Sequence, residues 1–247
     1  MKRNGILSFL LISLVFSNSI SAQDFSIDAG ADLVSRYIWR GADINNQANI
    51  QPFISIGYSG LQLGFWGSYG LIHLNSTDEN YKLSSEIDTW LSYTVSINNS
   101  INITALLTDY YFPSAGVGIG NFDNYDNVNG PGAHTIEAGL TITGRKPLPL
   151  SLSGYVNVYN DKGKNTYFQL DYSTSVKDFN VTLSSGAAAG SKDNPGYYGT
   201  DKFSFVHLGL KVSKSVKITE SFSLPVYCSF ILNPKSELAF FVLGISI

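Results

Sequence analysis

From Phe25 to Arg40 the chain alternates: Phe25, Ile27, Ala29, Ala31, Leu33, Tyr37 and Trp39 take the odd positions, and Ser26, Asp28, Asp32, Arg36 and Arg40 the even ones. A period of two belongs to a β-strand, whose successive side chains point to opposite faces. One face here is greasy and the other charged. The run exceeds the roughly five or six residues of an ordinary strand, and strands of about ten residues with an apolar outside and a polar inside are what a transmembrane barrel requires.

The same period returns in twelve segments, at about 25–40, 50–58, 61–72, 84–97, 101–112, 134–144, 148–159, 166–176, 179–189, 202–213, 217–232 and 236–247. Their connections alternate in length. Tyr58-Ser59-Gly60, Asn98-Asn99-Ser100, Gly144-Arg145-Lys146-Pro147, Lys177-Asp178 and a turn near Ser215 are short, whereas 41–49, 73–83, 113–133, 160–165, 190–201 and 233–235 are mostly longer and rich in Asn, Asp and Gly. Short periplasmic turns, longer outer loops, an even strand number and both termini in the periplasm account for such parity. The expected fold is all-β, a single antiparallel transmembrane β-barrel of about 12 strands over residues 23–247.

Composition removes other classes. With 44% hydrophobic and 14% charged residues, against about 25% charged in an average domain, the chain is not of the disordered type. Lys and Arg number 16 against 19 Asp and Glu, so the basic footprint of a nucleic-acid binder is absent. Lys2 and Arg3, the apolar run Ile6 to Phe16 and the small-residue end Ile20-Ser21-Ala22 read as a cleaved secretory signal over residues 1–22. The apolar run is too short to span a bilayer as a helix. Cys228 is the sole thiol, so no internal disulfide is available and its expected role is a small apolar residue on a strand. Four glycosylation-type acceptors, beginning at Asn75, Asn98, Asn102 and Asn180, are read as coincidences of an Asn-rich chain.

Parity assigns faces. Ile87, Leu91, Tyr93, Val95 and Ile97 are expected toward lipid, opposite Glu86, Asp88, Trp90, Ser92 and Thr94. Ile136, Ala138, Leu140 and Ile142 oppose Glu137 and Thr141, while Val206, Leu208, Leu210 and Val212 oppose His207 and Lys211. The pore-lining candidates are thus Asp28, Asp32, Arg36, Arg40, Trp66, Glu86, Asp88, Trp90, Glu137, Asp171, His207 and Lys211. Aromatic residues near strand ends (Tyr37, Trp39, Tyr69, Tyr110, Tyr111, Phe112, Tyr159, Tyr167 and Phe168) suit a membrane-interface girdle. By parity Trp66, Trp90, Tyr155 and Tyr167 fall on the polar face, where they would line a ligand path. The last strand carries Ala239, Phe241, Leu243, Ile245 and Ile247, alternate apolar residues like those read by barrel-assembly machinery, with Ile247 in place of the usual Phe.

The segment Ser35-Arg36-Tyr37-Ile38-Trp39-Arg40-Gly41, the Asn/Gln-rich stretch after it, Gln51-Pro52 and Gly60-Leu61-Gln62-Leu63-Gly64-Phe65-Trp66-Gly67-Ser68 resemble the TorF-like porin family of Gram-negative outer membranes. The resemblance is specific over about residues 31–70 and implies a pore-like outer-membrane protein without supplying a substrate. Trp39 stands where a Phe would be expected. Arg36 and Arg40, read as lumen residues of the first strand beside Asp28 and Asp32, would form either a selective constriction or a structural salt-bridge network. Gly41 would end that strand in a turn.

Enzyme chemistry finds little footing. His73-Leu74-Asn75, His134-Thr135-Ile136 and His207-Leu208-Gly209 lack the Ser two residues after His used by membrane-embedded lipid hydrolases. An Asp-His pair would have to form in space. Asp123, Asp126, Asn127 and Asn129 supply oxygens of the kind calcium takes, without EF-hand spacing, and a solvated loop accounts for them. The 113–133 connection is long enough to fold inward and narrow a lumen. Neither a catalytic residue nor a cofactor or metal is assigned. The expected function is passive diffusion of small polar solutes or ions through an outer-membrane barrel, in contact with lipid. The alternative is a closed structural or surface-interaction barrel.

Overall fold

The computed structural model describes residues 25–71, 85–97, 100–145 and 147–247. The signal segment 1–22, the 73–83 connection with His73 and Asn75, and Asn98-Asn99 lie outside the described residues. The strands are β1 (Phe25–Val34), β2 (Tyr37–Trp39), β3 (Ala42–Asn45), β4 (Asn49–Tyr58), β5 (Leu61–Gly70), β6 (Ser85–Ile97), β7 (Ile101–Tyr111), β8 (His134–Gly144), β9 (Leu150–Tyr159), β10 (Thr166–Val176), β11 (Phe179–Ala188), β12 (Ser204–Lys217), β13 (Ser223–Asn233) and β14 (Leu238–Ser246). All but β2 and β3 form one closed antiparallel barrel of twelve strands, in the order β1-β14-β13-β12-β11-β10-β9-β8-β7-β6-β5-β4 and back to β1.

The wall is apolar outside and polar inside, the reverse of a water-soluble core. Ile54, Ile56, Leu63, Phe65, Leu91, Tyr93, Leu140, Ile142, Leu208 and Leu210 are exposed, while Asn49, Gln51, Ser55, Ser68, Glu86, Asp88, Glu137 and Asn157 are buried. A barrel produces this pattern because alternate residues point inward and neighbouring strands pair around the ring. Tyr69, Phe112 and Phe168 stand exposed toward the long-loop rim, and Tyr58, Tyr93 and Tyr172 toward the short-turn rim. Cys228 pairs across with Val212 and Leu243 on the outer face.

The ring closes at a short seam. Asp32, Leu33 and Val34 pair with Ser246, Ile245 and Gly244, and Ala31 and Ile247 exchange backbone hydrogen bonds of 2.8 and 2.9 Å. Below Ala31, β1 has its ladder only with β4.

Three expectations change. The first strand stops at Val34, and 35–48 leaves the wall instead of continuing it; β2 and β3 form a separate hairpin, with Trp39 paired to Ala42. Alternation runs on past Val34 because a hairpin strand has the same period as a wall strand. Arg40 and Gly41, at φ +49° and +81°, make a two-residue turn of the type-I′ kind. Gly41 meets two demands there, since a Cβ would also collide with the Val206 carbonyl oxygen.

The second change is at Val206, which is 1% exposed inside the barrel instead of facing out. A bulge explains it: Gly186 pairs with His207 but Ala187 with Phe205, so Val206 is an extra residue and parity flips above it. Phe203 and Phe205 become the exposed residues. Third, the turn near Ser215 falls later, because the β12–β13 ladder runs on to Lys217 and Ser223, and Ile218 and Thr219 both donate to the Phe222 carbonyl.

Candidate functional site

The β2–β3 hairpin lies across the lumen. It springs from β1 and returns to β4, and its tip reaches β8, β9 and β10, the strands on the opposite side of the ring. Its remaining residues reach two sides of the wall, β5 and β13–β14. Tyr37 packs on Trp66 with ring centroids 5.5 Å apart. Ile38 packs on the inward cluster of Val34, Ile231, Phe240 and Val242. Asn233 donates its side-chain amide to the Gly41 carbonyl at 3.0 Å.

The tip is a lock. Arg40 Nη1 donates to Glu137 Oε2 at 2.5 Å and to the Tyr198 hydroxyl at 2.7 Å, and Nη2 donates to Glu137 Oε1 at 2.8 Å. Tyr110 donates to the same carboxylate at 3.0 Å. The guanidinium carbon sits 4.3–4.6 Å from the ring centres of Trp39, Tyr155 and Tyr167, and Trp39 stacks on Tyr198 at 5.7 Å and 13°. Side-chain exposures of 10% for Arg40 and 1% for Glu137 mean that neither charge has water as an alternative partner. A bidentate pair with flanking rings is the arrangement in which Arg offsets the desolvation of such burial.

The return leg explains the Asn/Gln-rich stretch. Asn45 donates to Asn49 Oδ1 at 2.9 Å, Asn49 to the Gln47 carbonyl at 2.5 Å, and Gln51 to Ser68 at 3.3 Å. These amides satisfy backbone and each other where the chain turns from the lumen back into the wall.

Below the hairpin the lumen wall is lined by small hydroxyl groups in cross-strand pairs. Thr94 meets Thr104 at 2.9 Å, Thr141 meets Ser153 at 2.9 Å, Thr143 meets Ser151 at 3.1 Å and Ser173 meets Thr182 at 3.2 Å. Midway, Trp90 lies flat over Gly64, where any Cβ would clash with its indole. That cross-strand contact keeps a large ring against the wall.

The pore-lining candidates separate accordingly. Trp66, Glu86, Asp88, Trp90, Glu137, Asp171, His207 and Lys211 lie on the inward face of wall strands. Arg36 and Arg40 belong to the hairpin segment instead of the wall. They do not pair with Asp28 or Asp32: Arg36 lies 3.6 Å from Asp43, and Arg40 takes Glu137. Asp171 accepts both contacts of the Gln169 amide at 2.9 Å. Glu86 Oε2 and Asp88 Oδ1 are buried without a hydrogen-bond partner, on the β6 side of the hairpin. Tyr37, Trp39, Tyr110 and Tyr167 leave the proposed girdle for the lumen: Tyr37 packs on Trp66, and the other three surround the lock. Tyr155 and Tyr167 do fall on the polar face, as a wall around Arg40.

Tyr198 was not singled out by sequence reasoning. The one available signal was the pair Tyr197-Tyr198 amid Gly, Asn, Asp and Lys, where aromatic rings in a solvated loop would be out of place.

The 113–133 connection does not turn inward. Asp109 and His134 lie by parity on the outer face near the long-loop rim, and the connection packs over them. His134 Nδ1 lies 2.8 Å from Asp109 Oδ2 and Nε2 lies 2.7 Å from the Ile119 carbonyl oxygen. Phe122 stacks on its ring at 4.1 Å and 2°. This is an Asp-His pair formed in space, with both ring nitrogens committed to tying the loop. The loop's Asn side chains cap its own turns: Asn121 Oδ1 accepts from Asp123 N at 2.9 Å, and Asn127 Oδ1 from Asn129 N at 2.8 Å. Among the described residues no group of three or more His, Cys, Asp or Glu is placed to hold a metal.

Asp161 ties two further loops. It accepts from Asn157 and Asn165 at 2.8 and 2.9 Å, and from Asn194 at 3.0 Å. Burial opposes its charge, but these amides and the Asn165 backbone outweigh that and hold the carboxyl below its ordinary value.

No curated protein matches the chain. A family model described as bacterial protein of unknown function (Gcw_chp) matches residues 18–225, which takes in the hairpin, the lock and most of the barrel wall, and the chain belongs to that family.

Proposed function

We propose that the protein is a porin-like channel of the bacterial outer membrane, passing small polar solutes or ions by diffusion, with its bore set by the in-folded hairpin. The reading follows the resemblance of residues 31–70 to TorF-like porins. The observation that carries it is the reversed wall: an apolar exterior encloses a lumen whose short-turn half is lined by paired hydroxyls and exposed Lys211. Lipid takes the apolar face, and the β14 pattern ending at Ile247 serves the barrel-assembly machinery. On this reading residues 1–22 direct export, the short turns and both termini face the periplasm, and no catalytic step is involved.

A closed structural or surface-interaction barrel is the second reading, favoured by the buried Arg40–Glu137 pair. Single-channel recording of refolded protein separates the two. Replacing 36–45 by a short Gly/Ser linker should raise the wild-type conductance severalfold. A barrel that conducts neither with nor without the hairpin is closed, and the channel reading fails.

A further inference from the structure

Between the hairpin and the β12–β14 wall lies a cavity of about 190 Å3. It is smaller than the roughly 300–1,000 Å3 of drug-sized sites. Its two cationic residues are Arg36, from the hairpin segment, and Lys211, from β12; Gln51 and Ser229 add neutral polar groups, and Ile38 and Val242 an apolar surface.

The two cations are incompletely matched. Lys211 has no ion pair among the described residues, and its ammonium sits 3.9 Å from the centre of the Tyr227 ring. Arg36 has one carboxylate contact, at 3.6 Å with Asp43, longer than a hydrogen bond. Asp171 is held by the neutral Gln169 amide and Asp32 pairs across the wall with Gln51 beside the cavity, but neither carboxylate lies within ion-pair distance of Lys211 or Arg36. The Arg40 guanidinium and Glu137 neutralise each other on the far side. An ammonium without a carboxylate partner and a guanidinium with one long contact, both beside an apolar wall, leave donors for an anion with a hydrophobic body.

We propose that this cavity is a binding site for a small carboxylate with an apolar body, its carboxylate held between Lys211 and Arg36 and its body against Ile38 and Val242. The inference rests on the channel reading for the ligand's route, and it names the solute class that pauses in the bore. Lys211 gives the stronger contact, since Arg36 is partly engaged by Asp43. Occupancy would slow the flow of other ions past the hairpin.

Benzoate is a suitable probe because it combines one carboxylate with a compact ring. Titration calorimetry on refolded protein in detergent should show saturable benzoate binding that benzyl alcohol does not displace. Lys211→Gln and Arg36→Gln should each weaken it by about tenfold, the usual worth of a charge-assisted hydrogen bond, and Lys211→Arg should restore most of it. Heat-modified gel mobility establishes that each variant remains a folded barrel. Equal binding by Lys211→Gln, displacement by benzyl alcohol, or no saturable binding would overturn the site. Conductance recorded on the same preparation distinguishes the cases: normal conductance without benzoate binding defeats the site alone, whereas a silent barrel that binds benzoate defeats the channel and leaves the site.

Discussion

The two halves of the lumen solve the problem of a polar interior differently. Toward the long loops, large side chains fill the space and two opposite charges are buried against each other. Toward the short turns, hydroxyls one or two atoms long satisfy one another along the wall. The first half depends on a few strong, mutually dependent contacts; the second on many weak ones. A defect should therefore be felt very differently in each.

The sharpest test of that contrast removes one member of the lock. Glu137→Gln or Arg40→Met strands a buried charge and should cost about 3–5 kcal/mol in denaturant unfolding. The double replacement Arg40→Met with Glu137→Leu, which strands nothing, should recover a large part. If the single and double variants unfold alike, the pair is not a mutual dependence and the contrast breaks.

A smaller effect is expected from the other half. Thr94→Val removes one side of the Thr94–Thr104 pair and should cost about 0.5–1.5 kcal/mol, because lumen water replaces the lost partner. A loss as large as that of the lock variants would mean that this half is as dry as the first.

The smallest effect concerns the loops above the hairpin. The carboxyl of Asp161 is held below its ordinary value by Asn194, Asn165 and Asn157 against the cost of burial, so its contribution is present at neutral pH. It is lost only as pH falls below about 4, the ordinary carboxylate range, and through the lowered value. The side-chain amide signals of Asn165 and Asn194 should shift together over that window. Asp161→Asn should abolish the shift; amides that titrate unchanged in that variant would detach the loops from this carboxyl.

The sequence carried the wall well and the plug poorly, for a physical reason. Wall strands are read from alternation because the two faces of a closed wall meet different surroundings at each step, and the inward placement of Glu86, Trp90, Glu137 and Lys211 follows from that alone. Alternation does not distinguish a strand that stays in the wall from one that leaves it, so Arg36 and Arg40 were placed on β1. The clue was local: Arg40-Gly41 can form a two-residue turn, and a turn so early leaves β2 too short to cross a bilayer. Val206 was misplaced because a bulge costs one residue of phase and leaves composition unchanged. The partnership of Arg40 with Glu137 spans 97 residues, and a pattern read within single strands carries no information across that distance.

The position of the hairpin along the chain fixes the order in which the lumen can be built. It follows β1 directly, whereas Glu137, Tyr155, Tyr167, Tyr198 and Val206 all come later. The partners that grip it do not yet exist when it emerges. The seam joining β1 to β14 has the greatest sequence separation in the ring, and contacts of that kind carry the largest loop-closure cost. The ring therefore has reason to shut last, and the hairpin becomes fixed only as the later strands bring their gripping residues to it, so plug and wall gain their order together.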